Sequence, residues 1–296
     1  MSKQQLAGIL SHAAQNPPPA NATPAMMRAY VEAATSALSV SAGVRIERVT
    51  CGPCDGDLIV PTDGDAGRLV IFYHGGCFFF GSSRTHRVIA SNLARAARSA
   101  VLIPDYRLAP EHPAPAAHDD AFAVYRWALG QGYEPTRLAL SGDSAGGNLA
   151  LATAVRARDA GLPLPTALAL MSPWVDLAGE GTSQREVADD PIVSSELLEL
   201  SRRLYLGDGD RKSPIATPFH ADFTGLPPTL AQVGSWERLR DDSVTLITRM
   251  KAAGIAADLK IFDGMCHIWQ LYAPMLDEGM QSIEEAAAFI RAHQAP

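Results

Sequence analysis

The sequence predicts an α/β domain: a mostly parallel sheet with helices on both faces. Three observations carry this. Short, almost wholly apolar runs alternate with helix-length stretches, as a sheet buried on both faces and crossed by helices requires. The chain has 296 residues, 47% of them hydrophobic, and a chain of that size buries roughly 75% of its unfolded surface, enough for one large core. No Ser/Gly linker, charge block or internal repeat divides it, so a single domain suffices.

Residues 1–19 form a polar, proline-rich start without a sustained apolar stretch. Ala25 to Leu38 places Met26, Met27, Tyr30, Val31 and Leu38 on one side of a helix. Val44 to Val49 and Asp57 to Val60 read as two strands. The Cys51-Gly52-Pro53-Cys54 string between them resembles the thioredoxin redox motif, but such a pair needs a helix N-terminus to lower its thiol pKa. Here the string reads as a turn.

From there the chain alternates. Leu69 to Tyr73, Ala100 to Ile103, Leu138 to Leu140, Ala167 to Met171, Thr229 to Val233 and Ala257 to Phe262 read as strands. Helices are expected at about 88–98, 119–129, 145–159, 241–253 and 282–293. In the fourth, Val244, Ile247 and Met250 share a face and Gly254 supplies a C-cap. Between Ala178 and Phe223 the alternation breaks into an acidic loop, a helix over Ser195 to Leu206 and a turn at 207–211. An insertion there, together with the N-terminal helix, is what a lid over the carboxyl ends of the strands looks like in sequence.

The formal net charge of −7 argues against nucleic acid or an anionic membrane as a partner. No run approaches a membrane span, and no signal peptide is evident. A cytoplasmic location is expected, with secretion by a non-standard route open.

Two glycine-rich strings carry the chemistry. Gly142-Asp143-Ser144-Ala145-Gly146 ends one strand and opens a helix. A serine flanked by glycines two residues away on either side suits a strained strand-to-helix turn that exposes its hydroxyl as a nucleophile. His74-Gly75-Gly76 ends an earlier strand, and a small-residue loop there lets backbone N–H groups approach a substrate oxygen that becomes negative. Together they point to acyl transfer to a serine. Ser144 needs a base, and the base needs an orienting carboxylate. His267, in the loop leaving the last strand, suits the base. His293, at the polar end of a helix, does not. His74 precedes the nucleophile and is expected to organise the oxyanion loop.

With these residues the chain resembles the bacterial hormone-sensitive-lipase-like esterases, a branch of the α/β-hydrolase superfamily. The resemblance rests on His74-Gly75-Gly76, Asp105-Tyr106-Arg107-Leu108-Ala109-Pro110-Glu111, Gly142 to Gly147 and Gly264-Met265-Cys266-His267, and runs from about residue 40 to the C-terminus. It implies the α/β-hydrolase fold with a helical cap built from about 1–42 and about 178–223. It also implies an oxyanion hole made by the N–H groups of Gly75, Gly76, Cys77 and Ala145.

Two positions depart from the family pattern. Cys77 stands where a third glycine is usual, and can still donate its N–H unless the loop demands positive φ. Glu237-Arg238-Leu239-Arg240-Asp241 stands where the family has Asp-Pro-Leu-x-Asp, which aligns Glu237 with the catalytic acid, thirty residues before His267. Asp241 and Asp263 are the other acids weighed. Asp241 and Asp242 are expected to serve the dipole of the following helix. The Tyr106 to Glu111 string is expected to brace the loop beneath the site, with Arg107 and Glu111 as an ion pair.

The resulting expectation is a carboxylic-ester hydrolase acting on short- to medium-chain acyl esters, with lactones as an option. Of Phe78, Phe79 and Phe80, at least one should face substrate or cap, and Trp174 and Trp269 are expected nearby. No metal or organic cofactor is implied. The expected partner is a small-molecule ester; a homodimer is left open. The alternatives are a ligand receptor on the same fold, as in the plant gibberellin receptors, which have lost the histidine that His267 retains here, and a peptidase or amidase.

Overall fold

A computed structural model describes residues 2–214 and 217–296. Met1, Ile215 and Ala216, which fall within the ranges expected for the cap, lie outside the described residues. Eight strands form one sheet: β1 (Val44–Cys51), β2 (Cys54–Pro61), β3 (Asp65–Tyr73), β4 (Ser99–Pro104), β5 (Leu138–Asp143), β6 (Leu168–Met171), β7 (Thr229–Gly234) and β8 (Ala257–Phe262). Their order is β1-β2-β4-β3-β5-β6-β7-β8. β2 runs antiparallel to both neighbours, and every pairing from β4 to β8 is parallel.

Burial follows the composition of the strands. β4, β5, β6 and β7, the almost continuous apolar runs, are buried at every position. The edge strands β1 and β8 alternate with charged residues and remain half open. Cys51 and Cys54 face each other across the tight β1–β2 turn, with Gly52 at φ 68°. Both thiols are buried, and burial pushes that of Cys51 up to about 12. A thiolate is disfavoured there, in keeping with a structural turn.

The helices are α1 (Ser2–Ala14), α2 (Pro24–Ser36), α3 (Arg87–Ala97), α4 (Ala116–Gly130), α5 (Ala145–Asp159), α6 (Ser183–Glu186), α7 (Ser195–Leu206), α8 (Arg240–Ala252) and α9 (Asp277–His293). On one face of the sheet Ile89, Leu93, Ile283, Ala287 and Ile290 of α3 and α9 pack on Val70, Phe72, Val101 and Met171. The other face packs on residues of α4, α5, α7 and α8, among them Tyr125, Leu149, Tyr205 and Leu246. None of the helices among the described residues is long and apolar enough to cross a membrane.

Three elements differ from the sequence-based expectation. The polar start contains α1, whose Leu6 is buried against Met265, Cys266, Trp269 and Leu276. Its Leu6, Ile9 and Leu10 stand at helical spacing, a short pattern that the reading of 1–19 as a polar start passed over, and a tertiary contact anchors it. α9 begins five residues before the apolar period does, with Asp277 and Glu278 in its first turn, where acidic groups favour the helix dipole. α6 is a single turn held from outside: Ser183 N–H donates to Asp241 Oδ2 at 2.8 Å, and Asp241 N–H donates to Ser183 Oγ at 3.0 Å.

Candidate active site

β3 and β5 are neighbours, so the loops leaving their carboxyl ends, at 74–81 and 143–145, lie side by side. Ser144 occupies the turn between β5 and α5 at φ 52° and ψ −120°, a region that residues with a Cβ rarely adopt. The flanking glycines make that turn possible. A Cβ at Gly146 would collide with the Tyr73 carbonyl, and one at Gly142 would stand 2.5 Å from the Gly146 carbonyl. Ser144 N–H donates to the Met171 carbonyl at 2.9 Å, and the Ser144 carbonyl accepts from Trp174 N–H at 2.9 Å. The turn is therefore tied to the end of β6.

The same strand end reaches the second half of the site. Ser172 Oγ donates to Glu237 Oε1 at 2.9 Å, and Gly234 N–H donates to the same oxygen at 2.5 Å. Glu237 Oε2 lies 2.6 Å from His267 Nδ1. A carboxylate can only accept, so Nδ1 carries the hydrogen and Nε2 is left as an acceptor. Both side chains are buried, Glu237 at 0% exposure and His267 at 3%. Burial alone would depress the imidazole; the hydrogen bond and charge of Glu237 outweigh it, holding His267 above its ordinary value. Ser144 itself is 4% exposed.

The other acids have different work. Asp263 is exposed and pairs with Lys3 at 2.9 Å. Asp241 holds α6. Asp242 departs from its expected role as a helix-dipole charge: it is buried, accepts from the Val175 and Asp176 N–H groups and from Gln184, and burial and the facing Asp176 push its carboxyl well above the usual range. It anchors the start of the 175–184 segment. His293 bonds the Phe289 carbonyl one turn back.

The 74–81 loop corrects one expected donor. Gly75 N–H is given to Asp143 Oδ1 at 2.9 Å, so it is not free for a substrate oxygen. Gly76, Cys77 and Ala145 donate their N–H to no acceptor among the described residues. Cys77 does sit at positive φ, 55°, as does Phe78 at 62°, the conformation that glycine would adopt freely; contrary to the expectation that such a φ would exclude it, the cysteine adopts it and its N–H is still left without an acceptor among the described residues. Burial pushes the Cys77 thiol up to about 11, against the pull of Ser201 and Arg202, and burial likewise takes Cys266 up to about 12. Neither is activated as a nucleophile.

The surrounding scaffold matches part of the expectation and corrects part. Tyr106 Oη donates to the His74 carbonyl at 2.7 Å, and the two rings stack at 4.2 Å, so this string braces the loop. Arg107 and Glu111 are not paired with each other: Arg107 forks onto Asp120 of α4, and Glu111 pairs with Arg28 of α2 at 2.6 Å. Residues four apart in a loop do not face one another as they would on a helix. Phe78 is the phenylalanine that meets the inserted segment, stacking on Tyr205 of α7 at 4.2 Å with Trp174 at 5.9 Å. Trp269 is buried with Leu6 and Phe262.

Sequence reasoning missed Ser172 and Arg28, whereas Asp143 was expected to bond nearby backbone and does so at Gly75 N–H. Only the serine had a signal, its place immediately after β6. Its hydroxyl joins the strand end that holds the Ser144 turn to Glu237.

Known proteins share this arrangement of elements. The profile of the alpha/beta hydrolase fold family matches residues 70–271. An acetyl-hydrolase of Streptomyces hygroscopicus is 44% identical over 245 residues, 82% of this chain and 81% of that protein. An esterase of Acinetobacter venetianus is 38% identical over 232 residues, 78% of this chain and 77% of its own length. The crystal structure of an esterase from the bacterial hormone-sensitive lipase family superposes with a TM-score of 0.94 at 40% identity, covering 99% of this chain and 98% of that one.

Proposed function

This chain belongs to the α/β-hydrolase fold family, among the hormone-sensitive-lipase-like esterases, and is a hydrolase of carboxylic esters; from that premise we propose that it works through an acyl-serine intermediate on Ser144. Ser144 Oγ attacks the ester carbonyl while His267 Nε2 takes the hydroxyl proton. The carbonyl oxygen becomes an oxyanion that accepts from the N–H groups of Gly76, Cys77 and Ala145. The tetrahedral intermediate collapses, the C–O bond to the alcohol breaks, and His267 returns its proton to the leaving oxygen. Water then attacks the acyl-serine, losing its proton to His267; the second tetrahedral intermediate breaks its bond to Ser144 Oγ, which takes that proton back from His267, and the carboxylic acid is released. Glu237 holds Nδ1–H throughout and stabilises the imidazolium.

The observation that carries this reading is the buried Glu237–His267 pair, tied through Ser172 to the strand end that fixes Ser144. A histidine with its carboxylate partner supports turnover over passive ligand binding. The likeness to the hormone-sensitive-lipase-like esterases supports short- to medium-chain acyl groups, with lactones as candidates; Phe78, Trp174 and Tyr205 pack on one another beside the oxyanion loop. We assign α1 and α2, within about 1–42, and the segment of about 178–223 as a cap, because Leu6 packs against the His267 loop and Tyr205 against Phe78. Ser144→Ala tests the core of the proposal. It should lose hydrolysis of a generic aryl ester and keep its melting temperature, and an organophosphonate should add mass to the Ser144 peptide of the unaltered protein. Labelling at Cys77, or substantial turnover by the folded variant, would refute it.

A further inference from the structure

The loop after β3 is an unfavourable piece of backbone. Gly76, Cys77, Phe78 and Gly81 all have positive φ, at 115°, 55°, 62° and 87°, and the two with a Cβ persist there only where neighbours over-determine the conformation. From within, Phe79 and Phe80 N–H donate to the Gly76 carbonyl at 3.0 and 2.9 Å, and from the 105–111 loop Ala109 N–H donates to the Phe78 carbonyl at 2.9 Å. Besides Asp143 and Tyr106 at its start, the loop is held by α2, where Arg28 and Glu32 stand one turn apart on the same face. Arg28 Nε donates to the Phe79 carbonyl at 2.8 Å, and an Nη donates to the Ala109 carbonyl at 2.7 Å. The same guanidinium forks onto Glu111 at 2.9 and 2.6 Å. Glu32 accepts from the Ser82 hydroxyl and pairs with Arg84 at 3.2 Å.

We propose that Arg28 is a positioning residue for ester hydrolysis: from the cap it clamps the Phe79 and Ala109 carbonyls and so holds the Gly76 and Cys77 N–H groups where the oxyanion forms. This rests on the reading of those groups as the oxyanion donors. A guanidinium offers five donors in a rigid plane, and here that plane bridges two loops that meet at Phe78 and Ala109. Glu111 fixes the plane, and the Arg28 hydrogen bond keeps its carboxyl down at about 2, so the fork is charged across the working range. The cap and the catalytic loop are thereby one hydrogen-bonded unit. Losing the clamp acts on the transition state, where the oxyanion exists, more than on substrate binding.

The test compares Arg28→Gln, Arg28→Lys, Glu111→Gln and the swap Arg28→Glu/Glu111→Arg. The readouts are kcat and KM on an aryl ester, affinity for a trifluoromethyl ketone, and hydrogen exchange of the 75–84 peptide. Arg28→Gln should lower kcat by about 10- to 100-fold with KM little changed. Ketone affinity should fall in step, and exchange at 76–80 should quicken. Arg28→Lys should recover part of the loss, since one ammonium cannot span every acceptor, and it carries the test if the glutamine variant does not fold. Glu111→Gln should cost less than Arg28→Gln. The swap restores opposite charges but leaves both carbonyls without a donor, so kcat should stay low. An unchanged kcat with raised KM would make Arg28 a mere cover, full recovery in the swap would reduce it to a surface ion pair, and unchanged exchange in a slow variant would show that the loss bypasses the loop. Each overturns the proposal. Should the wild-type protein hydrolyse no ester, the proposed function fails, and the exchange readout still decides the clamp.

Discussion

Replacing Glu237 by glutamine separates orientation of the base from stability of the fold. Glu237 is wholly buried and its two oxygens have distinct partners: Oε1 accepts from Ser172 Oγ and Gly234 N–H, and Oε2 faces His267 Nδ1 at 2.6 Å. A glutamine that keeps its carbonyl oxygen in the Oε1 position retains both of the first contacts and presents NH2 to Nδ1. His267 must then accept at Nδ1 and carry its hydrogen on Nε2, the nitrogen that has to take the Ser144 proton. The wrong tautomer costs up to ~10⁴-fold in turnover, or about 5 kcal/mol of barrier at 1.36 kcal/mol per decade. Stability should change by only about 1 kcal/mol, since every contact has a replacement, and for a chain of this size that moves the melting temperature by about 2–4 °C. Asp241→Asn is the control. It disturbs the reciprocal Ser183 contacts, worth about 1 kcal/mol, and should leave kcat within a factor of about two. Turnover of an aryl ester and a thermal melt on both variants decide the matter. Near-normal turnover in Glu237→Gln, with loss in Asp241→Asn, would refute the assignment.

The pH dependence follows from the same pair. His267 must be neutral to act as a base, and because its pKa is raised above 6.5, the acid limb of kcat/KM should lie above that value. Removing the Glu237 charge leaves burial as the main influence, so the residual activity of Glu237→Gln should show its limb at lower pH; an unmoved limb would dissociate His267 from it. The stabilising effect of the pair has the opposite sense: it is full below the unfolded histidine value and is lost as pH rises through the folded one, which melts across pH 6–9 on both proteins would register. Deleting residues 1–38 removes Leu6 from the His267 loop and Arg28 from Phe79, and should impair turnover and shift acyl-chain preference more than it lowers secondary-structure content, as chain-length profiles and circular dichroism would show. Cys77→Gly frees a position at φ 55°, exchanging strain of about 1–2 kcal/mol for a lost buried side chain of similar value. Its activity should persist and its stability stay within about 1 kcal/mol; loss of turnover would mean that the thiol itself takes part.

The sequence by itself determined the sheet and the crossover helices, and it singled out Ser144, His267 and Glu237 as the candidate nucleophile, base and acid. Apolar strands such as Leu138 to Leu140 and Ala167 to Met171 have no face to show water, so they are central strands in any packing. Gly142 and Gly146 leave room for the turn that lifts Ser144, whereas the alignment of Glu237 with the acid position came from the family resemblance. What lies between elements was decided only by the tertiary structure. Gly75 keeps its N–H for Asp143, Arg107 turns to Asp120, Glu111 turns to Arg28, and Ser172 joins the two halves of the site. α1 exists because Leu6 finds Met265 and Trp269. Hydrogen-bond partners distant in sequence compete for the same donors and acceptors, and which pair forms depends on where packing brings the backbone, a property that no local pattern of residues encodes.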